Sequence, residues 1–389
     1  MEKLEEPERK EADFEVMKTP EIIVQEEQGV QLLSLLLKAE NLNWGETETS
    51  LAKETVKYFK DNPPDPKILK TIKSFYREGV DEETLYNFVL TYQHPERVEK
   101  VLEMVKKYKS HVKNPQKIYQ KVLTVLERFE KTFSKSLLAK KFATEIEQDK
   151  NKRLQKIEET KKRIENIIDF FKPDSKTTDI KKLIFVPTDP LYKKSSSRSF
   201  SVFPGEQIII SHIDNIYSQD HEFSHSIINP IVEKLSQQLT DQQKRKISQL
   251  ASGKLKQDYG DRYFSLLCEE FIRTYNDVLK RGEKPQSYED FMQKISGITE
   301  NQFQKFLAES ISLKARCEQL EIKTIDDFKN KSQEYFDKFE KNQLRDLIFK
   351  LYQEYSNCSN REAKNFEQFV LAEFPTRIQT INPKSLATK

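Results

Sequence analysis

Glycine is nearly absent from this chain, with 8 in 389 residues. Lys, Glu, Gln and Leu are abundant instead, and such straight-chain residues lose little rotamer freedom in a helix. The composition therefore points to a mostly helical protein. Charged residues make up 33% and hydrophobic residues 36%, against about 25% and 45–50% in an average globular domain. Long solvated helix faces account for part of that difference. The length suits two or three domains at roughly 100–200 residues each.

The balance of 66 basic and 63 acidic residues, net +3, gives no global case for a nucleic-acid partner. In the Lys-rich stretch 116–165 acidic residues interleave with the lysines and aromatic residues are scarce, so nucleic-acid binding is not expected there either. The longest apolar runs, such as Leu32-Leu33-Ser34-Leu35-Leu36-Leu37, fall far short of the ~20 residues of a membrane span. Cys268, Cys317 and Cys358 are odd in number, and no two stand at metal-ligand spacing. A disulfide framework is not expected, and a reducing, cytoplasmic compartment is. The N-terminal residues are acidic and mixed, without the pattern of a secretory signal; an exported chain whose leader had been removed would read the same.

Along the chain, residues 1–20 are charged, contain two prolines and read as a flexible tail. A helical N-terminal region is expected over 21–175. Val30, Leu33, Leu36 and Leu37 recur at helical spacing, and Asn62-Pro63-Pro64-Asp65-Pro66 marks a break with a new helix behind it. Two long helices are expected within 116–172. The character changes at Leu183-Ile184-Phe185-Val186, a β-branched run suited to a buried strand. Ser199–Phe203 and Gln207–Ser211 flank Pro204-Gly205 and predict a hairpin. A core over 176–310 thus begins with a small sheet. The motif helix is expected over about 215–228. Asn229-Pro230 predicts a fresh helix start, and a further helix spans about 262–280. Residues 311–389 form a helical C-terminal region.

The chemistry-bearing motif is His221-Glu222-Phe223-Ser224-His225, which fits H-E-x-x-H. On a helix, residues four apart share a face, so two imidazoles there can reach one zinc ion, with the Glu between them as general base. Five histidines in the chain make the chance expectation of this motif about 0.006. A catalytic zinc needs a third protein ligand and an open position for water. No histidine follows His225, so a downstream carboxylate is the expected third ligand, with Glu269 and Glu270 as candidates. The apolar face of their helix is centred on Phe264, Leu267, Phe271, Tyr275 and Val278, and the two glutamates flank the opposite face about equally. The helical wheel does not choose between them. Arg273, one turn after Glu269, could pair with it or with substrate.

This pattern resembles an uncharacterised bacterial family of zincin-like domains of the gluzincin type. The resemblance rests on His221-Glu222-Phe223-Ser224-His225-Ser226 followed by Asn229-Pro230, on the upstream segment Val56-Lys57-Tyr58-Phe59-Lys60, and on Glu269 with Arg273 one turn later. The family often has Asn before the Glu, where this chain has Cys268. The resemblance is loose over residues 20–310 and specific over 180–280. It implies an α+β, mostly α fold with a zincin-like core flanked by helical regions, and a presumed metallopeptidase activity.

On this reading His221, His225 and Glu269 bind Zn²⁺, and Glu222 moves the proton of the attacking water to the leaving amine of a peptide or protein substrate. Arg273, Tyr263 and Tyr275 are candidate oxyanion donors, and Asp220 could orient a ligand histidine. Substrate is expected to lie along an edge strand of the hairpin. The alternative is a non-catalytic helical binding protein with a vestigial or structural zinc site; the intact Glu222 speaks against it.

Overall fold

The computed structural model describes residues 14–39, 50–187, 197–200, 205–251, 253–282, 287–358 and 365–381. The fold is α+β and mostly helical, with a small four-stranded mixed sheet. The chain divides into two compact units, Phe14–Ser226 and Ile227 onward. That division falls within the motif helix, not near 175 or 310.

The first unit runs β1 (Glu21–Val24), α1 (Gln28–Ala39), α2 (Ser50–Asp61), α3 (Pro66–Arg77), α4 (Glu82–Val89), α5 (Val98–Tyr108), α6 (Pro115–Phe133), α7 (Leu137–Gln155) and α8 (Ile157–Phe171). Then come β2 (Lys182–Val186), β3 (Ser197–Phe200), β4 (Glu206–Ser211) and the start of α9 (Ile216–Gln238). The proline break behaves as read: α2 ends at Asp61, and Asp65 caps α3 by accepting from the Lys67 N–H at 2.8 Å, with Pro66 at the first helical position. The stretch 116–172 holds three helices, not two. Ser136 caps α7 through the Ala139 N–H, and Lys156 separates α7 from α8.

The sheet order is β1-β2-β4-β3, with β1, β2 and β4 parallel and β3 antiparallel to β4. β2, flanked by parallel neighbours on both sides, reads Lys-Leu-Ile-Phe-Val and buries its last four residues, as strands covered on both faces do. The expected hairpin forms, pairing Ser199 with Ile209 and Phe200 with Ile208; residues 201–204 lie outside the described set. β1 corrects the expectation of helix from residue 21. Glu21-Ile22-Ile23-Val24 is too short to show a period, and its β-branched side chains suit a strand beside β2. The end of the expected tail is docked as well. Met17 is 4% exposed and its N–H donates to the Pro173 carbonyl at 2.8 Å, while Val16 bridges Asp174. Residues 1–13 lie outside the described set.

Side chains alternate across the sheet. Ile184, Val186, Phe200, Ile208 and Ile210 join one core with residues of α1 to α7, including Leu33, Leu36, Phe88, Phe129 and Phe142. Ser197, Ser199, Gln207, Ile209 and Ser211 lie on the other face by register.

The second unit holds the rest of α9, then α10 (Asp241–Leu250), α11 (Gly253–Tyr259), α12 (Tyr263–Arg273), a π-helical turn (Thr274–Lys280), α13 (Tyr288–Ser296), α14 (Glu300–Glu309), α15 (Ile311–Gln319), α16 (Ile325–Asn330) and α17 (Ser332–Tyr335). A second π turn (Phe336–Glu340), α18 (Gln343–Asn357) and α19 (Phe366–Thr380) complete it. Phe271, Tyr352, Phe366 and Phe374 form one aromatic core. Phe291, Phe303, Phe328, Tyr335 and Phe336 form another.

Asn229-Pro230 does not start a new helix: α9 continues through it to Gln238. Proline removes one intrahelical hydrogen bond, at roughly 3 kcal/mol for an exposed interior position. Here the neighbouring turns are anchored by Ile227, Ile228, Ile231, Val232 and Leu235, all at most 4% exposed, and that burial outweighs the local loss.

Candidate metal centre

α9 starts where Asn215 accepts from the Ser218 N–H at 3.0 Å, an N-cap. Its buried positions include Phe223 and Ser224, both 0% exposed, and Ile227. His221, Glu222 and His225 are half-buried, and so accessible to a ligand. A hydrogen bond from Gln207 Nε2 on β4 to the Glu222 carbonyl, 2.8 Å long, ties this turn of the helix to the sheet.

The two histidines meet through their Nε2 atoms, 3.2 Å apart, with ring centroids 4.9 Å apart and planes at 79°. Two ligands held at 2.0–2.1 Å in a tetrahedron stand about 3.3 Å from each other, so the spacing fits a shared zinc. Two neutral imidazoles can also share one proton at this distance, but such a pair needs no carboxylate. A carboxylate is present. One ligand atom each from His221, His225 and Glu269 lies within 4.8 Å of the others, a group that could hold a metal ion.

Glu269 is 8% exposed. Its Oε1 accepts from the Tyr259 hydroxyl at 3.1 Å and its Oε2 from Arg273 Nε at 3.1 Å. Burial and the neighbouring Glu269 charge push the Tyr259 phenol up to about 12, so it keeps its proton and donates. Glu270, fully buried, is turned to other partners: Asn342 Nδ2 at 2.9 Å and the Arg345 guanidinium, both from around the start of α18. These tertiary contacts distinguish two glutamates that the helical wheel does not: Glu269, not Glu270, falls in the group with His221 and His225. Cys268 is 3% exposed, and burial pushes its thiol up, leaving it neutral.

Glu222, between the histidines, accepts a hydrogen bond on Oε1 from Ser197 Oγ at 2.8 Å. Ser197 opens β3, an edge strand of the sheet. Of the other expected residues, Arg273 is engaged with Glu269. Tyr275 is 3% exposed in the aromatic core beside Tyr352, with Lys280 over its ring. Tyr263 lies under Lys244. Asp220 is buried with Arg163 Nε at 3.7 Å. Tyr259, Ser197 and Gln207 were not singled out from the sequence. The first lies ten residues before Glu269, and the other two sit on strands whose register only the folded sheet supplies.

No helix among the described residues is long and apolar enough to cross a membrane. A scan against protein-family models, a search of curated proteins and a search of solved structures each return no significant match.

Proposed function

We propose that this protein is a zinc-dependent peptidase with a zincin-like core, in which His221, His225 and Glu269 hold the metal and Glu222 is the general base. The observation that carries the reading is the 3.2 Å approach of the two Nε2 atoms together with Glu269 in the same ligand group. A divalent zinc there supplies Lewis acidity to a water and to the scissile carbonyl.

The chain's own residues do the rest. Glu222 takes a proton from the attacking water and hands it to the departing amine. Ser197 holds one oxygen of that carboxylate, and the other is the one assigned to proton transfer. The edge of β3 offers main-chain groups to an extended peptide. The expected substrate is therefore a peptide or a protein segment in extended form.

The test is a peptide-library digest read by mass spectrometry, with wild type and Glu222→Gln both assayed for bound metal. Cleavage by wild type, and loss of cleavage with metal retained in Glu222→Gln, supports the proposal. Equal turnover in both proteins overturns it.

A further inference from the structure

We infer that Tyr259 and Arg273 act as a clamp that sets the plane of the Glu269 carboxylate, making Tyr259 a positioning residue for the metal that lies outside the H-E-x-x-H motif. The inference rests on the peptidase reading only in taking Glu269 as a ligand.

Both Glu269 oxygens are engaged: Oε1 accepts from the Tyr259 hydroxyl and Oε2 from Arg273 Nε, each at 3.1 Å. The donors arrive from different elements. Arg273 is one turn along α12 from Glu269, the spacing at which helical side chains meet. Tyr259 ends α11 and is brought back over α12 by Gly260, whose φ of +57° is a left-handed conformation that glycine adopts without strain. The Tyr259 ring is itself held. The Arg262 guanidinium lies 5.2 Å from its centroid, and Arg262 Nε donates to the Tyr259 carbonyl at 3.2 Å.

A carboxylate with both oxygens engaged cannot swing about its last torsion. It retains lone pairs on each oxygen, so it can still offer one of them in a fixed direction. Partners of this kind fix ligand orientation, and their loss typically costs 10–100-fold in metal affinity. Tyr259 gives the cleaner test, because its single hydroxyl can be removed while the ring stays.

The experiment measures zinc affinity by chelator competition and the visible spectrum of the cobalt-substituted protein. It compares wild type, Tyr259→Phe, Arg273→Lys and His221→Ala, with the melting temperature of each metal-free protein alongside. Tyr259→Phe is expected to bind zinc about 10-fold or more weakly and to shift the cobalt bands, while the metal-free protein stays folded with a cooperative melting transition. Arg273→Lys, which keeps the charge but moves the donor, is expected to weaken binding less. Wild-type affinity within twofold and an unchanged cobalt spectrum in Tyr259→Phe overturn the clamp. If His221→Ala still abolishes binding in that case, the metal site stands without it. A wild type that binds no zinc overturns both.

Discussion

Ser197 Oγ donates to Glu222 Oε1 at 2.8 Å, joining the first residue of an edge strand to the carboxylate between the two histidines. The bond links the surface proposed for substrate to the group proposed as base. A hydrogen bond to a charged group is worth about 1.5–3 kcal/mol. Ser197→Ala is therefore expected to lower kcat roughly ten-fold or more while metal content stays at the wild-type level. Steady-state kinetics beside metal analysis check this; an unchanged kcat, or loss of metal, would contradict it.

The adjacent carboxylates Glu269 and Glu270 are expected to respond in opposite ways. Glu269→Gln should lose zinc affinity with little change in the stability of the metal-free fold. Arg345→Met strips the buried Glu270 of its cation and leaves it Asn342 alone. Removing one partner of a buried pair costs about 3–5 kcal/mol, toward the lower end here because Arg345 is 26% exposed. Urea unfolding and chelator competition on the two variants separate these effects. Loss of metal affinity in Arg345→Met without loss of stability would refute the assignment.

A pH effect on stability should arise far from the metal, at Glu82 in the first turn of α4. It is 8% exposed, and no described group hydrogen-bonds its Oε1. Burial raises its carboxyl from 4.5 to about 8, against the pull of Arg198 and Lys38 and with the help of Asp81. The folded chain then holds a proton that the unfolded chain has released. Stability should fall as pH rises from about 4.5 toward about 8, and level off above that. Melting temperatures of wild type and Glu82→Gln across this range give the comparison. The variant is expected to lack that decline and to gain on wild type at the alkaline end; parallel curves would disprove it.

The sequence carried much of this directly. Scarce glycine and helical spacing indicated the helices, Asp65-Pro66 set one boundary, and β-branched runs marked β2 and the hairpin. The motif histidines were legible because their geometry is local, a single helical turn. What was not legible depended on distant partners. Four residues at 21–24 have no period of their own and become a strand only beside β2. Asn229-Pro230 has the chemistry of a helix start, yet the buried apolar residues on either side carry α9 through it. The positions of Glu269 and Glu270 were symmetric on the wheel. Their surroundings differ because Glu270 meets Asn342 and Arg345, more than seventy residues downstream.

X-ray absorption at the zinc edge of the purified protein reads the metal's ligand shell itself. One zinc per chain is expected, with two imidazole nitrogens and two oxygens, one from Glu269 and one from water, at about 2.0–2.2 Å, and with loss of the imidazole signal in His221→Ala. A site built from sulfur ligands, four protein ligands with no water, or a zinc shell unchanged by His221→Ala would contradict it.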